Sequence, residues 1–216
     1  RYIAERAATL LGNPGARIIS CHLGGSSSLC AIHAGKSQAT SMGMTPQSGL
    51  PQNNRVGDLD PFALPALMRA TGKPLEELLS ILANKAGLEG LSGKSNDLRD
   101  VEEAAVKGDA RALLALDVYV ANVRHYLGAY LLLLGGADAI VFTGGIGENS
   151  ATMREAICRE LTWFGIQLDA AKNRAAKGET RVSSIESRVQ LWIMPTNEEL
   201  IVARQTRDLL QSPLAA

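Results

Sequence analysis

Ile140-Val141-Phe142-Thr143-Gly144-Gly145-Ile146-Gly147-Glu148-Asn149 passes from four apolar or β-branched residues to three glycines within four positions. The pattern predicts a buried strand running into a glycine-rich turn that opens a helix, with Asn149 or Ser150 as the helix cap. Two meanings are open for such a turn. Backbone N–H groups bared by glycine at a helix N-terminus suit a phosphate. A tight strand-to-helix connection asks for the same residues with no ligand at all.

Just upstream, Asp109 is placed to cap a long helix reaching about Leu134. Leu113, Leu116, Val120, Val123 and Leu127 form its stripe, and Gly135-Gly136 ends it. Nearer the start, residues 1–12 read as a helix end, followed by strand candidates at 17–23, 27–33 and 36–41. Gly24-Gly25-Ser26 and Ala34-Gly35-Lys36 are hairpin-grade turns, so these strands form an antiparallel meander. From Asp60-Pro61 the period turns helical, with Phe62, Leu64, Leu67 and Met68, then Leu75, Leu78, Leu79 and Leu82. Gly87 to Asn96 reads as a linker-like functional loop. Beyond the opening stretch we expect a helix at about 150–163, a polar loop near 172–188, a strand at 190–194 and a helix from about Thr196 to Leu210. A meander followed by alternating helices and strands predicts an α/β layer fold in one domain.

The 216 residues are 46% hydrophobic and 20% charged, with 22 Lys plus Arg against 22 Asp plus Glu. That balance excludes a bulk attraction to nucleic acid or acidic membrane, so any anion site must be local. The most apolar window, Tyr126 to Phe142, is too short to span a bilayer and reads as core. Cys21, Cys30 and Cys158 lack metal-ligand spacing and suggest reduced thiols in a cytoplasmic protein. Cys21 and His22 are strand neighbours that point to opposite faces, which disfavours a nucleophile–base pair. The chain opens at Arg1 with no initiator methionine and no charged-then-apolar leader, so no secretory signal is expected and the chain reads as a piece of a longer protein.

Four polar clusters stand at the ends of elements: His22 to Ser28, Asn53 to Asp58, Ser95 to Asp100, and Gly144 to Asn149. They supply two glycine-rich turns, arginines able to fork onto oxyanions, and carboxylates able to hold Mg²⁺ through water, the inventory of phosphoryl transfer. A fifth, Pro195 to Glu199, puts acids at a helix start, where the helix dipole favours them without a metal. A dinucleotide-binding dehydrogenase is disfavoured, because GxGxxG is incomplete and no acidic residue follows on a second strand at the expected spacing. His33 and His125 read as structural. Trp163, Phe164 and Trp192 read as core or interface anchors.

The order and wording of the clusters resemble the acetate kinases, from His22-Leu23-Gly24 through Thr40 to Pro46, Gly49-Leu50-Pro51, Asp97 to Asp100, Asp138 to Thr143 and Gly145 to Asn149 to Pro195 to Leu200. The resemblance implies a ribonuclease H-like, actin-like ATPase domain. It also implies that residues 1–216 are the C-terminal nucleotide-binding part, with the N-terminal half absent. By that resemblance His22, Leu23, Gly24, Gly25 and Ser26 contact ATP phosphates, and Asp97, Leu98 and Arg99 contact the nucleotide. Gly145, Ile146, Gly147, Glu148 and Asn149 cradle it from across the cleft. Arg55 is implied as the catalytic arginine facing the transferred phosphoryl group, and Glu198 as the Mg²⁺ residue. The implied reaction phosphorylates acetate or propionate from ATP, with ADP as product and no general base, since a carboxylate is already ionised at neutral pH. Family members are dimers, and the Leu131 to Leu134 region is a candidate interface.

Three departures from the family pattern bear on the site. Gly24-Gly25-Ser26 stands for the usual Gly-Asn-Gly, Gln52 to Asp58 differs around its arginine, and Lys94 interrupts a small polar segment. Ser26 is expected to restrict a positive-φ conformation, and the lost asparagine removes a side-chain donor. The alternative reading is a nucleotide-binding module that keeps the fold without turnover. The 216-residue chain alone is expected to bind nucleotide weakly and to lack kinase activity.

Overall fold

The computed structural model describes residues 1–211. Its strands are β1 (Arg17–His22), β2 (Ser28–His33), β3 (Lys36–Thr40), β4 (Ala139–Thr143), β5 (Thr180–Arg181) and β6 (Gln190–Ile193), in one sheet of order β3-β2-β1-β4-β6-β5. The expected meander is present: β1, β2 and β3 pair antiparallel. Beyond it β4 runs parallel to β1, and β6 parallel to β4. The carboxyl ends of β1, β4 and β6 therefore emerge at one edge of the sheet, where ligands bind in open α/β sheets.

Period-two alternation divides the core between the two faces. Ile19, Cys21, Ile140, Phe142, Leu191 and Ile193 pack on one side, against a core that includes α6 (Ala110–Leu133), α5 (Leu98–Val106), α4 (Gly87–Ser92) and α8 (Ala151–Cys158). Ile18, Val141 and Met194 face the other side with α1 (Tyr2–Leu11). All five residues of β4 are buried, as a strand covered on both faces requires. The amino-terminal edge is tied by Asp138, whose Oδ2 accepts from the Arg17 backbone N–H at 2.7 Å and whose Oδ1 accepts from Arg17 Nη2 at 3.0 Å. The long helix forms as expected: Asp109 Oδ1 accepts from the Arg111 and Ala112 N–H groups, each at 3.0 Å.

Several expectations are corrected. Residues 87–96 are not a linker loop, because they hold α4. The 172–188 region contains the end of α9 (Ala170–Ala175) and β5. The helix placed at 150–163 stops at Cys158, since Arg159 is extended with ψ 134, and Glu160 follows with φ +60. A short 3₁₀ turn at Thr162–Phe164 comes next and leaves Trp163 and Phe164 on the surface, outside the core. In α2 (Ala63–Thr71) no residue is buried, and in α3 (Leu75–Asn84) only Leu78 is, so Phe62, Met68, Leu75 and Leu79 are left exposed. His33 and His125 are exposed, and His125 meets Tyr126 edge-on. Among the described residues, no helix is long and apolar enough to cross a membrane.

Candidate functional site

The opening stretch folds as β4 followed at once by the short helix α7 (Gly144–Asn149). Three of its backbone amides bond within the protein. The buried Leu23 carbonyl accepts from the Ile146 and Gly147 N–H groups at 2.8 and 3.0 Å, and Glu148 Oε1 accepts from the Gly144 N–H at 3.0 Å. Gly144 has φ +79, and a Cβ there would lie 2.7 Å from the Leu23 oxygen; one on Gly147 would lie 3.3 Å from the Phe142 carbonyl carbon. These two glycines exist to let α7 press against β1 and β4. Gly145 differs: it is exposed, and a Cβ there would meet nothing within 4 Å. The anion-cradle meaning of the stretch thus narrows to Gly145.

Gly145, Ile146, Asn149 and Ser150 form one wall of a cleft of about 470 Å³. Gly24 and Gly25, in the turn after β1, form a second wall. Asn96 to Arg99 with Glu102 form a third, and Asn53 also lines the cleft. Ser150 caps α8 by accepting from the Met153 N–H at 3.1 Å, while its hydroxyl donates to Glu102 Oε1 at 2.7 Å. Asp97 caps α5 through the Arg99 N–H at 2.9 Å and also grips the Arg99 guanidinium, with Nε–Oδ1 at 3.0 Å and Nη2–Oδ2 at 2.5 Å. That guanidinium, followed by the Arg99 backbone N–H, holds the Asp97 carboxyl down at about 2.

Behind the cleft lies Arg154, 2% exposed. Its guanidinium donates to the Gly147 and Glu148 carbonyls at 2.9 and 3.0 Å and to Asn173 Oδ1 and O at 2.7 and 3.0 Å. No carboxylate is among these partners, and burial lowers the Arg154 pKa. The side chain fixes the far end of α7 from inside the protein.

Arg55 sits in a turn stitched to α4. The Ala86, Leu88 and Glu89 N–H groups donate to the Asn54, Gln52 and Asn53 carbonyls at 3.0, 2.9 and 2.9 Å, so the orphan amides that open α4 are satisfied by the turn that carries the arginine. Arg55 Nη1 donates to Ser26 Oγ at 2.9 Å and to Gln52 Oε1 at 3.1 Å. Ser26 has no positive φ, so the expected restriction at that position does not arise. Instead its hydroxyl links the first glycine turn to the arginine.

Of the residues expected from sequence, Gly24, Gly25, Asp97, Leu98, Arg99, Gly145, Ile146 and Asn149 line the cleft, while Ser26 and Arg55, bonded to each other, lie outside the lining next to Gly25 and Asn53. His22, Leu23, Gly147, Glu148 and Glu198 are outside its lining. His22 ends β1 in register with Ser28 and Thr143, and Glu198 is exposed at the start of α10 (Glu198–Gln211), which follows β6 at the same sheet edge. Among the described residues there is no group of three or more His, Cys, Asp or Glu that could hold a metal by itself. Sequence reading missed Asn53, Asn96, Glu102 and Arg154 as individual contributors. Asn53 Oδ1 is buried with no hydrogen-bond partner, which fits a cleft wall built to meet a donor from elsewhere.

A mixed sheet with glycine turns at the carboxyl ends of β1 and β4 and a cleft between them defines the class: an α/β domain of the actin-like ATPase type found in acetate and propionate kinases. The structure superposes on Porphyromonas gingivalis acetate kinase with a TM-score of 0.93 at 40% identity, covering 97% of this chain and 53% of that one. A propionate kinase from Francisella tularensis subsp. tularensis SCHU S4 gives 0.89 at 37% identity, with 96% and 53% covered. In sequence, the chain is 46% identical over 214 residues to the acetate kinase of Halothermothrix orenii, covering 98% of the chain and 54% of that protein. It is 44% identical over 214 residues to that of Methanosarcina thermophila, with 98% and 52% covered. The model of the acetokinase family matches residues 1–204, and the chain belongs to that family. It spans about half the length of the curated relatives it matches.

Proposed function

We propose that the chain is the nucleotide-binding C-terminal half of a cytoplasmic enzyme that transfers the γ-phosphoryl group of ATP to a short-chain carboxylate, acetate or propionate. The products are ADP and an acyl phosphate. The observation that carries this reading is the convergence of Gly24-Gly25, Asn96 to Arg99 and Gly145 to Ser150 on one cleft, with Arg55 bonded to Ser26 beside it. The relatives' own names, acetate kinases and a propionate kinase, support the acceptor class.

Leu98 and Ile146 give the cleft its apolar surface and suit a nucleobase, while Gly24, Gly25 and Gly145 let phosphates approach backbone. A carboxylate oxygen of the acceptor attacks the γ-phosphorus, and the bond to the bridging oxygen breaks. No proton moves, so the protein's task is alignment and charge stabilisation. Arg55 meets the charge spread over the phosphoryl oxygens with a planar fork that a lysine lacks. Glu198 is the residue we assign to Mg²⁺, which characteristically takes one or two carboxylates plus phosphates and water rather than an all-protein cage; when bound, the ion would neutralise charge on the phosphates. The exposed Leu132 and Leu133 support a homodimeric full-length protein.

Hydroxylamine trapping of acyl phosphate tests the proposal, using the full-length protein with ATP, Mg²⁺ and a panel of short carboxylates. The expected result is turnover with acetate or propionate that falls steeply, to a small measurable residue, in Arg55→Ala, and none with the 216-residue chain alone. Nucleotide binding without turnover on any carboxylate would replace this reading with a non-catalytic binding module.

A further inference from the structure

We propose that Ser26 and Gln52 are positioning residues for Arg55, presetting its guanidinium at the cleft before an anion arrives. The inference rests on the reading of Arg55 as the charge that meets the phosphoryl group. Arg55 Nη1 donates to Ser26 Oγ at 2.9 Å and to Gln52 Oε1 at 3.1 Å. A guanidinium carries five N–H groups, and Nη1 owns two of them. Both are spent on the two holders. The Nε and Nη2 edge is untouched by these bonds, and that edge is the fork that matches a pair of phosphoryl oxygens. The holders therefore do not compete with the ligand.

Gln52 suits this task because its amide cannot turn. It is fully buried, its Nε2 donates to the Pro46 carbonyl at 2.7 Å, its N–H donates to the Arg55 carbonyl at 3.0 Å, and its own carbonyl accepts from the Leu88 N–H. With Nε2 committed, Oε1 is the atom presented to the arginine. Ser26 is the opposite kind of holder, exposed and carried by the glycine turn that lines the cleft. Its hydroxyl makes the position of the arginine depend on the position of that turn. The rotamer freedom of a long side chain is then given up during folding rather than as charge develops on the phosphoryl group, so the gain falls on the rate.

The test is a mutant cycle in the full-length protein. Ser26→Ala is expected to lower kcat three- to tenfold with the KM for ATP within twofold. Ser26→Thr, which keeps the hydroxyl, restores kcat to within twofold, and Ser26→Ala has no effect in an Arg55→Ala background. An unchanged kcat in Ser26→Ala, or an equal loss in both backgrounds, overturns the proposal. A second readout is independent of turnover: ¹⁵N spectra of the Arg55 guanidinium should show separate Nη resonances in the wild type and averaged ones in Ser26→Ala. Averaged resonances in the wild type overturn the positioning role. Separate resonances in a protein with no kinase activity would sink the proposed reaction and leave this inference standing.

Discussion

Gly87→Ala should be among the most damaging single-methyl additions in the chain. Gly87 has φ +60, and a Cβ there would lie 2.0 Å from the Gln52 oxygen and 2.7 Å from the Arg55 oxygen. Both are backbone atoms, so no side chain can swing away. Restoring even a 3.0 Å contact moves the Gln52 carbonyl by about 1 Å, which stretches the bonds that Ala86, Leu88 and Glu89 donate to this turn. A left-handed alanine costs about 1 to 2 kcal/mol. Losing two or three backbone bonds adds about 1 kcal/mol each. The total, roughly 3 to 5 kcal/mol, is a large part of the roughly 5 to 15 kcal/mol that holds a domain. Urea unfolding of wild type and variant, followed by circular dichroism, measures it. A loss below about 1 kcal/mol would refute the reasoning, because it would mean that the arginine turn is not fixed against α4.

Two further predictions concern groups around the cleft. Arg154→Leu leaves four neutral oxygens of Gly147, Glu148 and Asn173 without their donor, and at about 1 to 3 kcal/mol for each buried acceptor left unsatisfied should cost at least about 3 kcal/mol, read from the shift in thermal midpoint. Asp97 has a depressed pKa in the folded state, so its contribution to stability is present above the unfolded value of 3.8 and is lost as the pH falls through about 2. Carboxyl NMR titration should give a midpoint near 2 in the wild type and a clear rise in Arg99→Ala; equal midpoints would remove Arg99 as the cause.

Much of this was legible in the chain. Gly24-Gly25 and Ala34-Gly35 punctuate the meander, Asp109 and Gly135 bracket the long helix, and the apolar run before Gly144 is the central strand. What escaped was structure made by partners distant in sequence. Gly87 to Ser92 has the composition of a loop and is a helix because the Gln52 to Asn54 carbonyls receive its first amides. Glu160 carries no breaker signal, yet it takes a left-handed conformation where the chain turns out of α8. The same limit applies to the site. Glycine spacing announced a backbone approach at Gly144 to Gly147 without saying to what, and the answer for Gly144 and Gly147 is the protein's own strands. Arg154 carries no mark in the sequence, because only the fold brings the four oxygens around it.

Nucleotide binding at Gly145 is the central claim and has a direct test. Gly145 has no positive φ and open space where a Cβ would go, so Gly145→Val leaves the fold in place while filling the cleft wall. Calorimetric titration of MgADP into the full-length protein should show binding to the wild type that weakens at least tenfold in Gly145→Val at unchanged thermal midpoint. Equal affinity in the two proteins would contradict the account and place the nucleotide elsewhere.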